Sequence, residues 1–388
     1  MDKKAKNENT CVLCGDSSRY ISKTLGVCAE CVRKGGKTAL NLIREVHAAV
    51  RRALNLPPQP PRSRSGISCN ICSNRCSIGE GEKGYCGLRW NDGKIVSRIS
   101  SSEGLLYAYL DPHITNCCSS WFCPGGTGSG YPMFAKTCGP EYGFHNLSVF
   151  LYGCNFDCLF CQNPSHKVFE DKPVKSIESF VRLVKGDPKI TCICFFGGSP
   201  EPQLPFVIEA SRATLESVEG RVLRICFEWN GCGSEDLVQK AAELSFESGG
   251  NLKFDLKCFN PFLSLALSGV NNSAAYRNFE NIAKIYKESR QGLPLITATT
   301  LLVPGYVDAK EVDSITRFIS KLDPTIPYGL LVFYPAFMMR DLPVTSIRQV
   351  IDCYKVAKQH LDKVHVGNLH LLGIRNMDYF EKIMKSQF

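Results

Sequence analysis

In the stretch LYGCNFDCLFCQN, Cys154, Cys158 and Cys161 stand with three and then two residues between them. Thiolates at that spacing can hold three corners of an iron–sulfur cube and leave the fourth iron open to a ligand or substrate. The chain has 21 Cys in 388 residues, so chance produces such a triplet with a probability of roughly 0.06. Chance likewise gives about one CxxC pair, whereas the sequence has Cys11/Cys14, Cys28/Cys31, Cys69/Cys72 and Cys158/Cys161. The excess points to metal sites. The first residues, MDKKAKNENT, hold no apolar export segment, and no run of about 18 apolar residues suggests a membrane span. The expected location is therefore the cytoplasm, where clustered thiols bind metals instead of forming disulfides.

The other cysteines fall into groups. Residues 1–56 carry CVLC and CAEC, whose Cys11, Cys14, Cys28 and Cys31 predict a zinc-ribbon or rubredoxin-like module holding Zn or one Fe through four thiolates. Such a closed site is expected to be structural. Leu40, Ile43, Val46, Val50 and Leu54 then recur at the spacing of one helix face. The Pro- and Ser-rich stretch 57–66 reads as a linker. Within 67–145, Cys69, Cys72, Cys76 and Cys86 can hold either an auxiliary 4Fe-4S cluster or Zn. Cys117, Cys118, Cys123 and Cys138 lie in a Gly- and Pro-rich loop, as a further cluster, a lid over substrate, or buried free thiols.

The net charge of +9 is uneven: residues 1–66 hold 13 Lys and Arg against 5 Asp and Glu. That fits a solubilising basic face better than a nucleic-acid surface, because no series of aromatic residues interleaves the charges. Nucleic acid and membrane are not expected partners.

From residue 146 onward the pattern becomes regular. Apolar runs at 146–153, 190–198, 222–231, 251–257, 295–305 and 328–336 alternate with amphipathic helical stretches. Six βα units predict an α/β fold, a full or partial (βα)6 TIM-like barrel over 146–388, with the Cys-rich segments as an N-terminal extension. Its site belongs at the strands' C-terminal ends. There stand the cysteine triplet, Gly197 and Gly198, Glu228 and Asn230, Asp255 and Lys257. The strand-borne Cys192, Cys194 and Cys226 read as small hydrophobes.

With CNFDCLFCQN, GGS, FEWNG, FDLK and the later TTLLVPGYVDAKEV in view, residues 66–388 resemble the radical S-adenosylmethionine superfamily. The likeness is to the branch of pyruvate formate-lyase and other glycyl-radical-enzyme activating enzymes and their uncharacterised Cys-rich relatives. The resemblance implies that Cys154, Cys158 and Cys161 ligate a 4Fe-4S cluster whose open iron binds S-adenosylmethionine. It implies a cofactor-binding role for Phe160, Gly197, Gly198, Ser199, Glu201, Glu228, Asn230, Asp255 and Lys257. Ser199 departs from the family's acid at that position, so Glu201 could take its part. Glu228 and Asp255 would hold a monovalent cation, with ion pairing to Lys257 the structural alternative.

The expected activity is reductive cleavage of S-adenosylmethionine and hydrogen abstraction from a protein or peptide, with electrons from a ferredoxin or flavodoxin. A radical methyltransferase or maturase using cobalamin, and a non-catalytic iron–sulfur or zinc protein, are the other readings. The sequence lacks a DxHxxG cobalamin motif.

Overall fold

The structure, a computed structural model, describes residues 8–287, 290 and 292–386. Its centre is a sheet of nine strands: β1 (Glu103–Pro112), β2 (His145–Leu151), β3 (Val174–Ser176), β4 (Ile190–Gly197), β5 (Arg224–Trp229), β6 (Leu252–Asp255), β7 (Ile296–Leu302), β8 (Tyr328–Val332) and β9 (Val364–Gly367). The spatial order is β9-β8-β7-β6-β5-β4-β2-β1-β3. Strands β2 and β4 to β9 are parallel, while β1 runs antiparallel to β2 and to β3. The two ends of this order do not pair, so the barrel is partial.

The six expected βα units are all present, and the parallel sheet gains a seventh strand, β9, whose four residues VHVG are too short and too polar to read as a strand in isolation. The sheet also begins earlier than residue 146. Strand β1 comes from the stretch expected to be a Cys-rich region, and it pairs with β2 over Leu106 to Pro112.

Side-chain alternation explains how a barrel wall and a chemical interior arise from the same strands. On β4, Ile193 and Phe195 are fully buried toward the helical layer, where Phe195 stacks on Phe180 with centroids 6.0 Å apart. Cys192 and Cys194 point into the lumen instead. On β5, Ile225 and Phe227 are buried while Arg224, Cys226 and Glu228 face inward.

The helices that cover the sheet are started by local polar chemistry. Ser176 accepts from Ser179 N to open α2 (Ile177–Lys185), counting Lys37–Arg52 as α1. Asn260 accepts from Phe262 N and Leu263 N to open α5 (Pro261–Ser268), and Gly269 ends it in the left-handed region. Helices α3 (Leu204–Ser217) and α4 (Glu235–Ser248) lie between these two.

The N-terminal ribbon is docked on the loops that follow β7 and β8. The Tyr306 hydroxyl accepts from Ser22 N at 3.0 Å and donates to Val27 O at 2.8 Å. Arg33 pairs with Asp308 at 2.9 Å. The stretch expected to be a linker also makes contacts, since Ser63 N donates to Ser77 O and Ser77 N to Pro61 O. Among the described residues no helix is long and apolar enough to cross a membrane.

The long connection 113–144 crosses the concave side of the sheet. Trp121 stacks on His365 of β9, with ring centroids 5.1 Å apart. At the other side, Glu141 receives Arg224 of β5 in a two-pronged pair, Nη1 to Oε1 at 2.8 Å and Nη2 to Oε2 at 2.7 Å, both side chains buried. The connection therefore fills the lumen from below.

Candidate active site

The triplet loop leaves β2 at Leu151 and is fixed by main-chain hydrogen bonds to two neighbouring segments. Asp157 N donates to Ser268 O at 2.8 Å, Leu159 N to Leu267 O at 2.9 Å, and Met338 N to Leu159 O at 2.9 Å. Phe156, Leu159 and Phe160 are buried and anchor it. The Cys158 thiol lies 3.5 Å from Ser268 Oγ. Burial pushes the thiols of Cys154 and Cys158 up, and that of Cys161 to about 11. Thiols in such surroundings become thiolates by binding a metal.

Beneath the loop sits an ionic group that the sequence reading did not find. Asp157, fully buried, is paired with Lys167, with His47 Nδ1 at 2.8 Å and with Arg51 Nη1 at 3.5 Å. Burial opposes ionisation of Asp157, yet the His47 hydrogen bond and the Lys167 and Arg51 charges hold its carboxyl below the usual carboxylate range. His47 and Arg51 are four residues apart on α1, so one helix face carries both to the site. An acid inside the otherwise apolar CNFDCLFC was the available clue.

Gly197 and Gly198 bring the end of β4 against the triplet loop. Gly197 has φ +110, and a Cβ there would lie 2.6 Å from Leu151 N; a Cβ on Gly198 would lie 2.1 Å from Gly153 O. Only glycine permits this approach. Gly198→Ala is expected to cost about 1–3 kcal/mol by overpacking against backbone, read as a lowered urea midpoint with an unchanged slope.

Ser199, Asn230, Asn155 and Glu201 form one network. Asn230 Nδ2 donates to Ser199 Oγ at 2.8 Å and to Asn155 Oδ1 at 2.7 Å, while Glu201 accepts from Gly231 N at 2.7 Å and from the Ser199 hydroxyl. Glu201 is fully buried, and burial raises its pKa. Its two oxygens brace the ends of β4 and β5, and it does not line the cavity; Ser199 and Asn230 do.

That cavity, about 380 Å³, opens at the strands' C-terminal ends and lies within the size range of small-molecule sites. Its wall brings together Cys154, Cys158, Cys161, Phe160, Gly197 and Gly198. Glu228, Asp255 and Lys257 also reach it, joined by Lys253, His166 and Asn368, which sequence reading missed. Lys253 shares a strand face with Asp255 by simple alternation and was legible in LKFDLK. Asn368 depends on the unrecognised β9.

The two carboxylates have lysine partners. Glu228 pairs with Lys253 at 2.9 Å and Asp255 with Lys257 at 2.5 Å, so the geometry is the ion-paired alternative to a cation site. Burial opposes the charge on Glu228, but Lys253 holds its pKa down.

Three buried polar atoms of cavity residues have no partner: Trp229 Nε1, His166 Nδ1 and Asp255 Oδ1. Burial and the Lys167 charge hold His166 neutral, its pKa lowered to about 3. Trp229 packs on Phe227 and Phe254 in the helical layer, whereas Asp255 stands on the inward face of β6, and its unpaired oxygen beside the three thiols suits a polar group bound at an iron–sulfur cluster.

The remaining cysteine groups differ in spacing. The sulfurs of Cys11, Cys14, Cys28 and Cys31 all lie within 4.8 Å of one another, with Cys14 and Cys28 3.7 Å apart. Zn–S bonds of about 2.3 Å in a tetrahedron put thiolates about 3.8 Å apart, so this site suits a single ion. No other set of three Cys, His, Asp or Glu among the described residues is as tight, Cys69, Cys72, Cys76 and Cys86 included. The segment holding those four docks at the site: Ser73 N donates to Cys232 O at 2.9 Å and Asn74 Nδ2 to Asn155 O at 2.7 Å. Of the loop cysteines, Cys118 lines the cavity, Cys117 and Cys123 face the lumen below, and Cys138 is exposed.

Known proteins similar to this chain include activating enzymes. An isethionate sulfite-lyase activating enzyme of Desulfovibrio desulfuricans is 25% identical over 295 residues, covering 72% of this chain and 80% of that protein. A protein of Methanocaldococcus jannaschii named as a glycyl-radical enzyme activating enzyme is 22% identical, covering 57% and 88%. A solved domain of pyruvate-formate lyase-activating enzyme from Bacteroides vulgatus aligns at 17% identity with a TM-score of 0.37, covering 45% of this chain and 98% of that one. Residues 148–319 match the Radical SAM superfamily, and with the triplet at the open end of their parallel strands they form a radical SAM domain.

Proposed function

We propose that this protein cleaves S-adenosylmethionine reductively and abstracts hydrogen from a protein or peptide substrate, in the manner of an activating enzyme. The observation that carries this reading is the 380 Å³ cavity whose wall joins the half-buried Cys154, Cys158 and Cys161 to Ser199, Glu228, Asn230, Asp255 and Lys257 at the ends of neighbouring strands. Cys154, Cys158 and Cys161 would ligate the 4Fe-4S cluster. When bound, that cluster and S-adenosylmethionine supply one-electron cleavage of the sulfonium carbon–sulfur bond and a 5'-deoxyadenosyl radical.

The chain's own residues position and shield. The close approach of Gly197 and Gly198 leaves main-chain carbonyls free of side-chain cover at the cavity wall. Phe160 covers the triplet, with Lys257 Nζ 5.5 Å from its ring centre. Asp255 Oδ1 has no partner and is free to accept from a bound ammonium or hydroxyl. Cys118 and Asn116 close the lower side against water.

A macromolecular substrate is supported by the relatives' names and by exposed aromatics. Tyr107 and Tyr109 on β1 are 59% and 42% exposed. Tyr109 meets Phe196 edge-on at 6.4 Å, and Phe196 lines the cavity. This stripe connects surface to site, as contact with an extended chain requires. The tight N-terminal site would hold Zn or one Fe. The wider spacing of Cys69, Cys72, Cys76 and Cys86 favours an auxiliary iron–sulfur cluster over a single ion. A ferredoxin or flavodoxin would supply electrons.

The test is anaerobic. Cluster-loaded full-length protein with reductant and S-adenosylmethionine is expected to release 5'-deoxyadenosine. Deuterium should enter that product from the protein fraction, and not the small-molecule fraction, of cells grown in heavy water. No release from fully loaded protein overturns the reading; deuterium from the small-molecule fraction alone overturns the substrate class.

A further inference from the structure

A second enclosed space lies in the lumen directly below the active-site cavity, and it is lined by five thiols. Cys117 and Cys123 come from the 113–144 connection, Cys192 and Cys194 from β4, and Cys226 from β5. The sulfurs of Cys192 and Cys226 are 3.5 Å apart, close to the about 3.8 Å expected of two thiolates on one tetrahedral ion. Space remains among them, about 40 Å³, which exceeds what one water needs.

The surroundings are unlike those of cysteines packed as small hydrophobes. Arg224, Glu228, Lys253, Asn146 and Asn251 line the same space. Cys117 Sγ donates to Glu228 Oε1 at 3.2 Å. Glu228 and Lys253 form a wall shared with the active-site cavity above. Arg224 and Lys253 flank the thiols but are each paired with a carboxylate, Glu141 and Glu228, so the charge that offsets the thiolates comes from the bound metal itself.

We propose that the barrel lumen holds a further all-thiolate metal centre, with Cys192 and Cys226 as its fixed ligands from the sheet and Cys117 and Cys123 closing it from the connection. Thiolate-only donors select thiophilic metals: zinc, monovalent copper, or iron as an iron–sulfur cluster. No three of these sulfurs lie within 4.8 Å, so the connection moves inward around a single ion, or outward to admit a cluster larger than the present space. The centre belongs to the fold independently of the reaction proposed above. The strand positions alternate correctly for it, since Cys192, Cys194 and Cys226 occupy inward-facing sites of neighbouring parallel strands in register.

The test compares metal and acid-labile sulfide in full-length wild type with those in a Cys192→Ala/Cys226→Ala double variant, both isolated anaerobically. Wild type is expected to hold one centre more: zinc or copper lost alone identifies a single ion, and iron lost together with sulfide identifies a cluster. Cys353→Ala, a buried cysteine in the helix Ile347–Lys358, should leave every metal unchanged. Equal metal content in wild type and double variant overturns the proposal. If the double variant also loses the metal of the N-terminal ribbon, the fold has failed, and Cys123→Ala then decides: loss of one centre supports the lumen site and full retention overturns it.

Discussion

Cys158→Ala is expected to abolish release of 5'-deoxyadenosine while leaving the chain folded. The residue is half-buried and its main-chain neighbours are tied down on both sides, Asp157 N to Ser268 O and Leu159 N to Leu267 O. A rigid loop cannot bring a substitute ligand to the vacated corner. The Lys257 ammonium, which faces Phe160 in the same wall, offers only donors and cannot replace a thiolate. Two thiolates alone hold a cluster too weakly to present an open iron to a bound sulfonium. Ser268→Ala, which removes only the hydroxyl 3.5 Å from Cys158 Sγ, should be much milder, a loss of about 10–100-fold, as expected for a group that orients a ligand without being one. Product release, iron content and circular dichroism measured together decide the matter. Undiminished release from the folded Cys158→Ala protein would remove the triplet from the chemistry.

The residues that could be read from the sequence are those whose chemistry is local. The CxxxCxxC spacing, the paired glycines and the strand-end acids and lysine all stand beside a strand that announces itself by apolar continuity. The cavity wall accordingly contains Phe160, Gly197, Gly198, Ser199, Glu228, Asn230, Asp255 and Lys257 together. Glu201 was one step too far along the loop: its oxygens are turned back to Gly231 N and Ser199 instead of outward.

What could not be read depends on distant segments meeting. Strand β9 supplies Asn368, yet VHVG acquires its strand identity only by pairing with β8. Cys192 and Cys226 read as small hydrophobes because nothing in their own segments announces that Cys117 and Cys123 arrive beside them from the 113–144 connection. Likewise the spacing of His47 and Arg51 marks a helix face, but not that this face meets the residue between two cluster ligands.

That meeting sets the largest expected loss of stability. Asp157→Ala should cost about 3–5 kcal/mol, the typical result of removing one partner from a buried ionic group. Asp157 has no exposed surface, and the Lys167 and Arg51 side chains are 2% and 1% exposed, so the cations left behind cannot reach water. Lys167 can shed its proton, which limits its share of the loss. Arg51 cannot, and it is held in place by Pro57 O, Tyr85 O and the Tyr85 ring, 3.5 Å from its guanidinium carbon. Asp157→Asn preserves the volume and leaves an acceptor for one neighbour, so it should lose less than the alanine variant. Combining Asp157→Ala with Lys167→Met should recover part of the loss, because an uncharged pair leaves less unmet charge. Urea midpoints of the four proteins test this ordering. If Asp157→Ala unfolds within about 1 kcal/mol of wild type, the buried group does not hold the loop, and some other contact must fix the geometry of the three thiols.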